Sequence, residues 1–147
     1  MAAVASIVAV GAIGTGVAGA SQPSEYFTAV STSPDASAAT VVAAGPISAT
    51  GTDVQLGAHR DNFVFPNGTL TVRHEAQTKS QSFDSRTCVG TYKETGTYDI
   101  TKGTGMYKHV TGSGRYKVSA IFQGCDKNAP PTAFVQTIEA HGPIFLG

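Results

Sequence analysis

The chain has 147 residues, enough for one domain around one core. Ten Lys and Arg balance ten Asp and Glu, and every basic residue lies from Arg60 onward, where seven acidic residues accompany them. That surplus is too small and too scattered to follow a phosphate backbone, so nucleic acid is excluded as an expected partner.

The first twenty residues are small and apolar, with Ile7-Val8-Ala9-Val10 in an Ala/Gly-rich run. Ala18-Gly19-Ala20 fits the small-x-small cleavage pattern of a secretory signal. Residues 1–20 therefore read as a signal peptide, although no basic residue follows Met1. The alternative is a membrane anchor, but a run this rich in Gly and Ala is weakly apolar for a span of about 20 residues. The expectation is a secreted or cell-envelope protein with no stable membrane span after processing. Residues 21–39, rich in Ser, Ala, Thr and Pro, read as a tether, with Tyr26–Val30 as an alternative first strand. The folded domain is expected over residues 40–147.

From Thr40 the chain breaks into short strands. Thr40–Ala44, Ile47–Gly51 and Val54–Gly57 are separated by turn residues, and none shows the apolar spacing of a helix. Asp61 to His74 reads as a hairpin about Asn67-Gly68, a dipeptide suited to a two-residue turn. Counting outward pairs Phe65 with Leu70, Phe63 with Val72 and Asp61 with His74, all on one face. A turn with Pro66 at its second position would split the apolar residues between faces, and register follows the buried face. Gln77 to Asp84 is polar and reads as strand end and loop. Arg86–Tyr92 and Gly96–Ile100 are further strands. In Ser113–Phe122, Tyr116, Val118, Ala120 and Phe122 form the inner face. In Thr132–His141, Phe134, Gln136, Ile138 and Ala140 alternate with polar and outward residues, and Gly142-Pro143 ends the strand. Eight or so strands without a helix predict an all-β fold. Short up-and-down connections favour a small antiparallel β-barrel over a sandwich, because closure removes both edges. Phe63, Phe65, Leu70, Val72, Tyr116, Val118, Phe122, Phe134 and Ile138 are the expected interior.

Between Tyr98 and Tyr116 the glycines come in pairs, Gly103 with Gly105 and Gly112 with Gly114. Gly103-Thr104-Gly105-x-Tyr107-x-x-Val110-x-Gly112 resembles a segment of the allene oxide cyclase and dirigent β-barrels, including their bacterial relatives. A looser likeness runs back through Phe63-x-Phe65-Pro66-Asn67-Gly68-Thr69-Leu70. The resemblance implies an eight-stranded antiparallel barrel with an apolar cavity open at one end, often in homo-oligomers. The glycines themselves explain turns and bends, not chemistry, and no catalytic residue is carried over from the family.

Cys88 and Cys125 are the chain's two cysteines, and an even count in an exported chain suggests a disulfide. Buried free thiols and a reactive thiol are the alternatives. Asp61 opposite His74 is the sharpest candidate for acid/base chemistry, against the simpler reading of a cross-strand ion pair at a barrel rim. Phe63, Phe65, His74, Tyr92, Tyr116 and Gln136 are the candidate ligand-contacting residues. The tyrosines and Gln136 supply polar groups on otherwise apolar faces, although a hydrogen-bonded core tyrosine would look the same. His59, His74, His109 and His141 lack metal-ligand spacing, and no phosphate loop, dinucleotide fingerprint or GxSxG motif is present, so neither metal nor cofactor is expected. Two functions remain open. One is a secreted barrel that binds a small apolar ligand without turnover. The other is a cyclase or isomerase-like enzyme acting on a reactive apolar intermediate in the cavity.

Overall fold

The computed structural model describes residues 21–147 apart from Ala36 and Lys127. The expected signal peptide lies outside these residues. Eight strands close into one antiparallel barrel in simple up-and-down order: β1 Ser24–Ser31, β2 Ala38–Ala44, β3 Ser48–Gly57, β4 Arg60–Phe65, β5 Gly68–Asp84, β6 Val89–Gly103, β7 Thr111–Gln123 and β8 Ala133–Phe145. Closure is made by β1 against β8, from Ser24 opposite Pro143 to Ser31 opposite Gln136.

Several expectations are corrected. Residues 24–31 are not tether but the strand that closes the barrel, with Glu25, Phe27 and Ala29 buried on its inner face. Gln77–Asp84 continues β5 instead of ending it, with Thr78–Asp84 paired to Val89–Thr95. Arg86–Cys88 forms the turn of that hairpin, and Gly96–Ile100 belongs to the same strand as Val89. Gly142-Pro143 does not end β8, which runs on to Phe145.

The β4–β5 register also differs. Phe65 pairs with Gly68, Phe63 with Leu70 and Asp61 with Val72, so the two-residue turn is Pro66-Asn67. Proline at the second position and glycine at the fourth suit a type I turn. The observed pairing is displaced by two residues from the expected one. A shift of two preserves side-chain parity, so Phe63, Phe65, Leu70 and Val72 still face the core and are all buried.

One end of the barrel is sealed. Phe65, Leu70, Tyr107, Val110 and Ile144 pack there with Ile47. A single 3-10 turn, Gly105–Tyr107, folds beneath the β4–β5 turn: Met106 N–H donates to Asn67 O at 2.8 Å and Thr104 N–H to Thr69 O at 2.9 Å. Gly105 has φ +58°, a left-handed conformation that glycine adopts at little cost. The glycine motif of the sequence is thus the plug of the barrel, with the Tyr107 ring edge-on to Phe65 at 5.7 Å.

The other end is asymmetric. β5 has its last β4 partner at Arg73, and β8 its last β1 partner at Gln136. Beyond these points β5 to β8 rise as a four-stranded sheet over the mouth. Cys88 in the β5–β6 turn is disulfide-bonded to Cys125 in the β7–β8 loop, with their Cα atoms 4.9 Å apart. Gly124 N–H donates to Cys88 O at 2.9 Å beside the bond. Phe122, Phe134 and Ile138 point inward as expected but are only half-buried: Phe122 and Phe134 lie where the sheet has no barrel wall opposite it, and Ile138, within the closed barrel opposite Ala29, borders the cavity.

Candidate functional site

The open mouth leads to a cavity of about 290 Å³, lined near its entrance by Ser33, Pro34 and Ser37 of the β1–β2 loop and by Gln55, Tyr92, Phe134 and Gln136. A deeper pocket of about 70 Å³ continues it toward Phe63, Val72, Tyr98, Tyr116 and Ala140. Asp53, Asp61, His74, Glu94, Val118 and Ile138 border both. An apolar floor therefore lies below a ring of ionisable side chains.

Each member of the ring is placed by strand alternation. Asp53 on β3 shares the inner face with Gly51, Asp61 on β4 with Phe63, and His74 on β5 with Val72. Glu94 on β6 pairs with Val118 of β7. A bulge at Gln77 keeps Lys79 on the inner side above His74, so its ammonium comes 3.4 Å from Glu94 Oε2.

The groups are coupled. His74 Nε2 lies 3.1 Å from Asp61 Oδ2. Glu94 accepts from Tyr116 Oη–H at 2.6 Å and from Tyr92 Oη–H. Tyr116 reaches Glu94 because its ring crosses Gly96, where an added Cβ would stand 2.5 Å from Tyr116 Cε1 and collide with the Glu75 carbonyl oxygen. The His74 ring meets the Tyr116 ring edge-on at 5.7 Å.

Charge follows from these contacts. Burial pushes the Asp53 carboxyl up to about 7, the Asp61 charge adds to the shift, and His74 opposes it. The hydrogen bond to Asp61 raises His74; burial opposes this, and the charges of Asp61, Glu94 and Asp53 add to it. Burial works against an ionised Glu94, but the hydroxyls of Tyr116 and Tyr92 and the Lys79 ammonium outweigh it, holding its carboxyl below the usual range. Burial, then the contact with Glu94, pushes Tyr92 up to about 12 and raises Tyr116 further. Asp53, only 8% exposed, keeps one oxygen, Oδ1, without a hydrogen-bond partner in the protein.

Of the candidates from sequence, Phe63, His74, Tyr92, Tyr116, Gln136 and Asp61 line the cavity. Phe65 lines neither part of it; it belongs to the plug against Tyr107 at the sealed end. Asp61 and His74 meet, but on a diagonal and not as a directly opposed pair. Two functional groups escaped the sequence reading. Glu94 was within reach, since the inner set Gly90 and Tyr92 extends by alternation to it. Asp53 carried no signal, lying in a Thr/Gly-rich stretch whose apolar alternation is weak. Among the described residues, no three His, Cys, Asp or Glu side chains converge to hold a metal ion.

Compared with known proteins, the chain matches no family model, no curated protein and no solved structure.

Proposed function

We propose that this chain is an exported barrel of the allene oxide cyclase and dirigent-like kind that binds a small, largely apolar molecule bearing one polar group. The observation that carries the reading is the continuous cavity, apolar at its floor and ringed by Asp53, Asp61, His74 and Glu94 at mid-depth. A small-molecule site has this makeup, an apolar wall with a few convergent polar groups that fix orientation. Export is supported by the apolar leader and by the cysteine pair, which an oxidising compartment maintains.

The test is a titration of hexan-1-ol into isotope-labelled protein, followed by nuclear magnetic resonance. Shifts concentrated at Val72, Tyr98, Val118 and Ile138, and abolished by the cavity-filling Val118→Phe, are expected. Absent shifts, or shifts scattered over the outer surface, overturn the reading.

A second reading, turnover as a cyclase or isomerase, is favoured by one feature. Burial raises the Asp53 carboxyl to about 7 while that of Glu94 in the same cavity, despite its burial, is lowered by the tyrosine hydroxyls and Lys79. Two carboxyls driven apart in this way are suited to acid and base roles. On that reading Asp53→Asn and Glu94→Gln would each stop conversion of a bound substrate without preventing its binding.

A further inference from the structure

We propose that the polar group recognised in this cavity is a protonated amine, seated on Asp53, so that the preferred ligand is a small cationic amphiphile. The inference rests on the binding reading above and narrows its ligand class.

Three carboxyl side chains face the cavity: Asp53, Asp61 and Glu94. Two have their own cation. Asp61 holds His74 at 3.1 Å, and Glu94 holds Lys79 at 3.4 Å together with two tyrosine hydroxyls. Asp53 has neither. The Asp53 side chain is 8% exposed and lines both parts of the cavity, and its Oδ1 accepts no hydrogen bond from the protein. Among the described residues that line the two parts of the cavity there is no Lys or Arg.

A buried acceptor without a donor is costly unless a ligand completes it. An anionic head group meets the carboxylates of Asp61 and Glu94 there, and that of Asp53 as well above about pH 7. A hydroxyl can donate one hydrogen bond but leaves the charge uncompensated. An ammonium supplies both a donor and the missing positive charge, a pairing that gains strength where water is excluded. Phe63, Val118 and Ile138 below Asp53 would take the apolar tail, while Tyr92 and Tyr116 offer aromatic walls beside the head group.

The proton balance is explicit. Below about pH 7, where Asp53 carries a proton, binding of R–NH3+ expels that proton to solvent and leaves an ammonium–carboxylate pair. Amine affinity must therefore rise with pH. Asp61 on β4, His74 on β5, Glu94, Tyr92 and Tyr98 on β6 and Tyr116 on β7 surround the same cavity, with Lys79 held outside its lining by Glu94, and loss of the His74 charge acts in the same direction.

The experiment compares hexylamine, hexan-1-ol and hexanoate by titration calorimetry at pH 5, 6, 7 and 8, on the wild-type chain and on Asp53→Asn. Hexylamine is expected to bind most tightly, gaining up to about tenfold per pH unit up to pH 7, the slope of one released proton. Asp53→Asn is expected to lose at least about tenfold in hexylamine affinity, the scale of one charge-assisted hydrogen bond, and with it the preference for hexylamine over hexan-1-ol. Hexan-1-ol or hexanoate binding as tightly as hexylamine at pH 8 overturns the proposal, as does an amine preference that survives in Asp53→Asn. Should that variant not fold, the wild-type pH profile decides: a flat hexylamine profile overturns the proposal. Binding by none of the three overturns the cavity reading on which it rests, which separates the two failures.

Discussion

His74 Nε2 lies 3.1 Å from Asp61 Oδ2, although Asp61 is opposite Val72 and His74 lies two residues further along β5. The contact runs diagonally across the β4–β5 pair, a distance that a His and an Asp side chain can span. It survives the two-residue difference in register because both side chains stay on the inner face.

This pair makes His74 a reporter. Its folded value is raised above 6.5, chiefly by the hydrogen bond to Asp61. The stabilisation is fully present below the unfolded value and is lost as pH rises through the folded one. Asp61→Asn is expected to lower the midpoint of the His74 ring-proton titration, and an unchanged midpoint would show that the pair does not form in solution.

Asp53 predicts a second pH dependence. Its carboxyl is raised from 3.8 to about 7. The folded chain therefore holds a proton that the unfolded chain has released, and stability falls as pH climbs between these values, by up to about 1.4 kcal/mol per unit. Asp53→Asn should flatten that slope and be more stable than wild type at pH 8. Urea unfolding at pH 5 and pH 8 measures it; equal slopes in the two proteins contradict the assignment.

Phe65 and Phe122 separate the core from the mouth. Phe65 is buried in the plug at 4% exposure, whereas Phe122 is only partly buried, over Gly90. Phe65→Ala should cost about 3–5 kcal/mol and Phe122→Ala roughly 1–2 kcal/mol, since cavity costs scale with burial. Denaturant unfolding that returns the reverse order would place the plug at the wrong end.

The disulfide closes a loop with a sequence separation of 37. Chain-entropy arithmetic gives about 4 kcal/mol for such a loop. Cys88→Ser with Cys125→Ser should lower stability by that order and speed amide exchange in Gln77–Asp84 and Val89–Thr95, the hairpin that the bond anchors to the β7–β8 loop. Two thiols open to alkylation in the native protein would rule the bond out.

Strand alternation made much of the barrel legible. Tyr116, Val118, Ala120 and Phe122 declared one inner face, and Phe63, Phe65, Leu70 and Val72 another, because a half-buried strand must separate apolar from polar at every second residue. β1 was legible only as an alternative, Tyr26–Val30, to the tether reading, for the same reason reversed. Its inner face holds Glu25, fully buried, while Tyr26 and Val30 are exposed outside, so no clean alternation marks it. The β4–β5 register was ambiguous because two turns one residue apart, Pro66-Asn67 and Asn67-Gly68, shift the pairing by two residues and bury the same side chains.

The fold class, the antiparallel order and the cysteine pair were thus determined by the sequence itself, since each depends on local patterning or on counting. The site was decided by tertiary structure alone. Asp53, Asp61, His74, Glu94 and Tyr116 come from five strands, and each is an ordinary polar residue within its own strand. Barrel closure brings their inner faces around one volume, and the desolvation and charge coupling that shift Asp53, His74 and Glu94 exist only once that volume is enclosed.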